Sequence, residues 1–174
     1  MAVAGIPEVI HDFNMYTKGS KIVGVTGEVT LPDFEAMTET VSGAGILGEY
    51  DAVVIGRYGS MEQEIPFRCF NSDYFRLIDP TTVVEITLRG AIQQTNPATG
   101  AVEYVGMRVV YRGKCKKISL GTVKQGGPMD SSLTIEPTYI MIELNGEQKI
   151  ELDKLNGVFK VNRVDLLAAI KKLT

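Results

Sequence analysis

The chain has very little of the chemistry on which catalytic and metal sites depend. Its 174 residues include one histidine, His11, and two cysteines, Cys69 and Cys115. A single histidine excludes a multi-histidine metal site, and it leaves at most one base for a Ser-His-Asp or Cys-His set. The cysteines show no CxxC spacing and are too few for a disulfide framework, so we expect reduced thiols. Because His11 stands beside Asp12 and just before a strand, we expect it to be an exposed terminal residue.

A strong charge of one sign and long apolar runs are absent as well. The chain carries 18 basic and 21 acidic residues, for a net charge of −3, and this balance disfavours tight binding to nucleic acid. No apolar run reaches the roughly 20 residues that a membrane helix needs. The start, MAVAGIPEVIHDF, lacks the basic lead and long apolar core of a signal peptide. We therefore expect one domain over residues 1–174, made in the cytoplasm.

The pattern that does run through the chain has a period of two, which indicates strands with one buried face. In 83–93 the apolar residues Val84, Ile86 and Leu88 alternate with polar ones, and residues 105–116 form a long returning strand. Lys18-Gly19-Ser20 predicts a hairpin turn between 14–17 and 21–26. Asn145-Gly146, between two alternating segments, predicts a type I′ hairpin. A further strand is expected at 28–31, before Pro32.

Helical signals are few. Residues 70–78 begin with a possible cap at Asn71 and end before Pro80, which predicts one short helix. A second helix is predicted to close the chain, capped by Asn162. Its leucines and isoleucine form one apolar stripe, which is expected to pack against another part of the protein. The fold class is therefore mainly β with two helices.

One motif invites a nucleotide-binding interpretation, because residues 43–48 read GAGILG and match G-x-G-x-x-G. A dinucleotide fingerprint needs a buried strand before it and a helix after it. Here a polar, threonine-rich segment precedes the motif and a β-branched, strand-like segment follows it. We interpret residues 43–48 as a loop, either flexible or ordered against a partner that approaches its glycines closely.

Two charged groups could in principle carry chemistry. Glu62 and Glu64 share one face of the predicted strand 60–67, and paired carboxylates occur in glycoside hydrolases. Two acids on one strand are more simply a solvated face. The lysines at 114, 116 and 117 could meet phosphate, but no aromatic residues are interleaved with them as in single-strand binders. We interpret this cluster as a solvated face or as salt-bridge partners.

Several separated blocks, in order, carry a family resemblance. They are LPDFEAMTETVSGAGILGEYD, GRYGSMEQEIPFR, YRGKCKKISLGTVKQGG and EPTYIMIELNGEQKIELDKLNGVFKVNRVDLL. Together they cover nearly the whole chain and resemble the major tail tube proteins of contractile-tailed bacteriophages. The resemblance implies no enzymatic activity and no cofactor. It implies a protomer with an antiparallel β-sandwich or barrel-like fold that closes into rings of six. These rings stack helically into a hollow tube inside a contractile sheath.

The family assigns surfaces to this sequence. The resemblance implies that an extended loop at about 40–57 contacts the next ring, and its candidate residues are Thr40, Val41, Ser42, Gly43, Ala44, Gly45, Ile46, Leu47, Gly48, Glu49, Tyr50 and Arg57. Polar strand faces supply three lumen candidates, Glu62, Glu64 and Glu136. The basic row is expected instead at subunit or sheath contacts, and it comprises Arg108, Arg112, Lys114 and Lys116. The two helices are expected to cover the sheet and to face the sheath.

The implied partners are other copies of the chain, the tail sheath protein, and baseplate and tail terminator proteins. DNA is expected to pass through the tube without specific binding, and the chain is expected to reside in the virion tail. The sequence alone leaves three alternatives open. These are the tube of a phage-tail-like bacteriocin, a type six secretion tube protein, and a monomeric β-barrel binding module or enzyme.

Overall fold

The computed structural model describes residues 5–174, and residues 1–4, the first part of the segment used to judge a signal peptide, lie outside that range. Antiparallel strands dominate the described chain, as predicted. The strands are β1 (Ile6–Thr17), β2 (Ser20–Lys21), β3 (Ala36–Ser42), β4 (Glu49–Tyr58), β5 (Gln63–Phe67), β6 (Val84–Thr95), β7 (Val102–Ser119), β8 (Ser131–Leu144), β9 (Glu147–Asp153), β10 (Val158–Val161) and β11 (Val164–Asp165). The helices are α1 (Ser72–Leu77) and α2 (Ala168–Lys171).

Nine strands form one antiparallel sheet in the order β11-β10-β9-β8-β7-β6-β1-β2, with β5 added beside β8. The remaining strands, β3 and β4, pair only with each other and form a separate two-stranded sheet. Long hairpins link β6 to β7 and β7 to β8, so the chain builds the middle of the main sheet in sequence order. Strand β1 does not follow this order, because it pairs with β6, a strand that is distant from it in the sequence.

The core lies on one face of the large sheet, as the period-two pattern predicted. Along β7, Val109, Tyr111 and Cys115 are buried, whereas the intervening Arg112 and Lys114 are exposed. Strand β6 buries Val84, Ile86 and Leu88 in the same way. Helix α1 covers part of this face with Tyr74 and Leu77, and Asn71 Oδ1 accepts a hydrogen bond from the Tyr74 backbone N–H at 2.9 Å. The predicted helix and its cap are therefore confirmed.

The Asn145-Gly146 hairpin is confirmed between β8 and β9. Both turn residues have positive φ, 52° and 78°, as a type I′ turn requires. The first predicted hairpin is present but much shorter on its second side, since β2 has only two residues and the predicted strand 21–26 is wrong beyond Lys21. No strand is assigned at 28–31. Tertiary contacts hold this irregular segment instead, including a Thr26 N–H bond to the Pro66 carbonyl at 3.1 Å.

The predicted C-terminal helix is present but short, and its predicted start at Asn162 is wrong. Asn162 and Arg163 have φ values of 49° and 69° and form the tight turn between β10 and β11, so Asn162 does not cap a helix. Helix α2 is only four residues long and buries none of them. Leu167 packs against the core beside Gly56, whereas Leu166, Ile170 and Leu173 stay exposed. The expected apolar stripe is therefore uncovered in the isolated chain.

Candidate assembly surfaces

Strands β3 and β4 form a ribbon, residues 36–58, that stands apart from the main sheet. Its base is anchored by an edge-to-face contact between Tyr58 and Phe34 at 5.6 Å and by another between Tyr58 and Phe159 at 5.3 Å. The backbone N–H of Gly59 also donates to the Glu35 carbonyl at 3.0 Å. The ribbon is thus held firmly at one end and projects from the body at the other.

Large apolar side chains on the ribbon are exposed. They are Met37, Ile46, Leu47, Tyr50, Val53 and Ile55. An isolated two-stranded ribbon has too little core to bury such residues itself, so a patch of this kind marks a contact surface. Leu47 at the tip is fully exposed, and no other residue of the described chain covers it.

The predicted inter-ring loop differs in form from the observed segment. Only residues 43–48 form a loop, at the tip of the ribbon, while residues 40–42 and 49–57 lie in strands β3 and β4. Gly45 and Gly48 have φ values of 91° and 100°, a backbone region that favours glycine, so this tip needs them for its own turn. Strands flank the G-x-G-x-x-G match on both sides, which removes the helix that a dinucleotide site requires.

The second surface is the outer face of the large sheet, which we call the polar face. At one place on it, Lys116 Nζ donates to Glu62 at 2.8 Å and to Glu136 at 3.3 Å. Glu136 also accepts from the Ser60 hydroxyl at 2.7 Å and from the Met61 backbone N–H at 3.0 Å. The polar face here is a mixed-charge network on three segments of the chain.

The same pattern continues along the sheet. Arg108 pairs with Glu143 at 2.9 Å, and Arg112 pairs with Glu85 at 2.7 Å. The Arg112 guanidinium also lies over the Tyr139 ring, 4.5 Å from its centroid. Cross-strand neighbours of opposite charge stabilise a sheet modestly, and they reduce the charge that the face presents to solvent.

These contacts join residues that were assigned to different surfaces. Glu62 and Glu136 were predicted for the lumen and Lys116 for a subunit or sheath contact, and the three side chains meet on one face. Both predictions therefore concern one continuous surface. Sequence reasoning missed the pairing because Lys116 and Glu62 are far apart in the chain, and strand alternation predicts only which face a residue occupies. Glu64 is exposed on β5, and Lys114 is exposed on β7.

The environment of Glu136 lowers its pKa. Partial burial acts in the opposite direction and would raise the pKa, but the hydrogen bonds from Ser60, Met61 and Lys116 together outweigh it. The same network raises the pKa of Lys116, chiefly through its hydrogen bond to Glu62 and then through that to Glu136. A carboxylate whose pKa is lower in the folded chain stabilises the fold above its unfolded pKa, which is near 4.5.

We expect the variant Glu136→Gln to lose about 1 kcal/mol of unfolding free energy at neutral pH, a modest figure because the site is partly exposed. As the pH falls below about 4.5, the wild-type carboxylate becomes protonated and loses its advantage. The stability difference between the two proteins should therefore shrink in acid. Urea unfolding curves at neutral and acidic pH measure it. Glu64→Gln, at a residue that is exposed on β5, is the matched control. A stability difference that persists unchanged in acid would contradict this account.

A third surface was not predicted from the sequence. Strand β1 starts at Ile6, so His11 lies within a strand rather than ahead of one, although it is exposed as expected. Its ring contacts Tyr104 edge-to-face at 5.9 Å. From Ile6 to Asn14, β1 pairs with β6 on one side, and in the described chain no strand pairs with it on the other. Two register shifts with β6 obscured the alternation that would have signalled this strand.

Among residues 5–174, no group of three or more His, Cys, Asp or Glu side chains is placed to hold a metal ion. Over the same range, none of the helices has the length and apolar character needed to cross a bilayer. Cys69 is exposed and Cys115 is buried, and both are free thiols, as expected. The candidate sites in the described chain are therefore contact surfaces rather than a pocket with reactive groups.

Comparison with solved structures shows which fold this geometry matches. The chain aligns with a sheath/tube terminator of an extracellular contractile injection system, PVC, in its extended state, with a TM-score of 0.54, 14% identity, and coverage of 79% of this chain and 96% of that one. A chain of the anti-feeding prophage (AFP) baseplate gives a TM-score of 0.52 and 9% identity over 80% of this chain and 97% of that one. At these identities the likeness concerns the fold alone.

Sequence comparison adds the family. The chain is 30% identical to the tail tube protein of Escherichia phage P2 over 163 residues, which is 93% of this chain and 94% of that protein. It is 26% identical to the major tail tube protein of Serratia phage KSP20 over 162 residues, with 89% and 88% covered. The family model for phage tail tube protein FII matches residues 7–173. The chain therefore belongs to the phage tail tube protein FII family.

Proposed function

We propose that this chain is the subunit of the inner tube of a contractile tail, and that it assembles with itself into six-membered rings that stack helically into a hollow conduit. Membership of the family makes it a structural tail protein rather than an enzyme. The observation that carries the self-assembly is the ribbon, since a firmly anchored projection with uncovered apolar side chains requires a partner surface.

Six copies per ring are supported by the structure of the AFP baseplate, which is six-fold symmetrised. Closure is also a physical advantage. An open sheet edge exposes unpaired N–H and C=O groups that can template uncontrolled association, and a closed ring removes such edges. The free outer side of β1 is an edge of this kind.

Rings stack, in this proposal, through the ribbon. Its tip, residues 43–48, and its flanking strands, residues 40–42 and 49–57, contact the neighbouring ring. A hydrogen bond from the Thr40 hydroxyl to Asp51 at 2.7 Å ties the two strands together near the tip. Because each contact is repeated around the ring, weak individual contacts add up to cooperative stacking.

The polar face lines the channel in this proposal, with Glu62, Glu64 and Glu136 among its residues. Lys116, Arg108 and Arg112 share that face, and each is paired with a carboxylate. This revises the expectation that the basic row makes subunit or sheath contacts. Cations that are already paired attract phosphate weakly, so DNA meets a wall of low net charge and slides past without specific binding.

The proposed setting is the virion tail, after synthesis in the cytoplasm of a bacterial host. The sheath protein surrounds the tube, and baseplate and tail terminator proteins bind its ends. Structural neighbours described as a sheath/tube terminator and a baseplate support association of this fold with such components. The same neighbours favour a second candidate, the tube of a particle without DNA such as a phage-tail-like bacteriocin, over the secreted tube of type six machinery.

Purified protein examined by size-exclusion chromatography and negative-stain microscopy tests the proposal. We expect long hollow rods, or rings at low concentration that convert to rods as the concentration rises. Rings that never stack would favour the type six alternative. A chain that remains a 19.0 kDa monomer at high concentration would overturn the proposal of self-assembly.

A further inference from the structure

The two borders of the large sheet carry opposite charges. The acidic edge consists of residues 6–14 of β1, whose outer side no strand of the described chain covers, and residues 90–107 of the β6–β7 hairpin. It contains Glu8, Asp12 and Glu103 and no lysine or arginine, whereas the adjoining β1–β2 hairpin carries Lys18 and Lys21. The basic edge consists of residues 158–174, with cations at Lys160, Arg163, Lys171 and Lys172 against a single acid, Asp165. Counted by side chains, the edges carry −3 and +3.

Topology places these edges far apart within one molecule. In the sheet order, β11 and the adjoining α2 lie at one border, and β1 with the short β2 lies at the other. Five strands separate β11 from β1 along that order. The two charged edges therefore do not neutralise each other within one chain. Lys160 pairs with Glu151 at 2.9 Å and Lys171 pairs with Asp165 at 3.1 Å, so Arg163 and Lys172 are the cations of the basic edge that have no carboxylate partner in the described chain and can meet a second copy.

Both edges also expose apolar side chains. The acidic edge exposes Ile6, Val9, Ile10, Val102 and Tyr104. The basic edge exposes Val164, Leu166, Ile170 and Leu173. A groove of about 370 Å³ adjoins β1 and is lined mainly by apolar residues, among them Ile10, Phe13, Val29 and Leu88. A concave apolar site beside one edge thus matches protruding apolar side chains on the other.

We propose that the acidic edge of one copy binds the basic edge of the next, with the apolar side chains of residues 164–173 seated at the groove beside β1. Two different surfaces then meet at every contact, so the association is head-to-tail and closes into a ring when the rotation permits. The proposal rests on the proposed function, because it names which borders of the subunit join within a ring. Charge complementarity steers the encounter, and burial of the apolar side chains holds it.

Cysteine cross-linking tests this pairing. In a Cys69→Ser background, Val9→Cys and Val164→Cys are prepared separately, mixed under assembly conditions and treated with a flexible bis-maleimide. The head-to-tail contact predicts a cross-linked dimer in the mixture and little in either variant alone. A contact between identical edges would instead cross-link one variant by itself, which would overturn the proposal. Val123→Cys, exposed in the 120–130 loop and at neither edge, replaces Val164→Cys as the matched control.

Charge reversal provides an independent readout. Arg163→Glu with Lys172→Glu should raise the concentration needed for assembly by about tenfold. Adding Glu8→Lys with Glu103→Lys on the same chain should bring that concentration most of the way back to the wild-type value. Circular dichroism confirms that each variant is folded. If wild-type rings form but neither the cross-link nor the rescue is seen, the edge pairing is wrong while the tube proposal stands. If the wild type forms no oligomer, the proposed function itself fails.

Discussion

Replacing Gly113 with alanine is expected to lower the free energy of unfolding by about 3 kcal/mol, the upper range for overpacking in a core. Gly113 is buried on β7, opposite Pro137 of β8 and next to a register shift. A Cβ atom built there would overlap the backbone oxygen of Glu136 and approach Ile135 Cγ2 to 2.9 Å. Because the obstacle is backbone, no side-chain rotation relieves it, and the two strands must separate.

Gly106 is the matched control on the same strand, since a Cβ built there meets nothing within 4 Å. We expect Gly106→Ala to change the unfolding free energy by no more than about 0.5 kcal/mol, as surface substitutions usually do. Urea unfolding followed by circular dichroism measures both variants. Two protein concentrations are needed, because assembly also stabilises the folded state. Equal stabilities for the two variants would show that the β7–β8 pairing is not as close as described.

Shortening the ribbon is expected to abolish tubes while leaving rings. Replacing residues 43–48 with Asn-Gly keeps the last strand pair, Ser42 with Glu49, and closes it with the two-residue turn that hairpins favour. The change removes Ile46 and Leu47, the exposed large apolar residues at the tip, and leaves the anchor at Tyr58 in place. Since stacking contacts are repeated around a ring, the loss of a small contact in each copy is multiplied, and rods should disappear at every accessible concentration.

The milder variant Leu47→Asp tests the same surface with one side chain. Its control is Val123→Asp, because Val123 is also an apolar residue in an exposed loop. Negative-stain microscopy counts rods and rings, and circular dichroism verifies the fold. We expect Leu47→Asp to reduce rods strongly and Val123→Asp to leave them. Normal rods from the variant with the shortened ribbon would show that the ribbon is not part of the stacking interface. Loss of rings as well as rods would show that the ribbon contributes to contacts within a ring.

The strength of each sequence signal explains what could be predicted. The β6–β7 and β8–β9 hairpins were predicted because buried and exposed residues alternate along them and Asn145-Gly146 fits one turn type. Helix α1 was predicted because its cap and its stop are both local. The wrong predictions, namely the strands at 21–26 and 28–31 and the helix start at Asn162, lie where local preference competes with tertiary pairing. Asn162 suits a helix cap and a tight turn equally well, and pairing of β11 with β10 selected the turn.

The sequence by itself determined the mainly β class, the buried face of the long strands, the exclusion of a multi-histidine metal site and the family. These properties follow from the order of residue types along the chain. Only the tertiary structure decided that residues 36–58 stand apart as a ribbon, that Lys116 joins Glu62 and Glu136, and that oppositely charged edges border one sheet. The reason is that alternation specifies which face of a strand is buried, whereas strand order and cross-strand partners depend on residues that are distant in the chain.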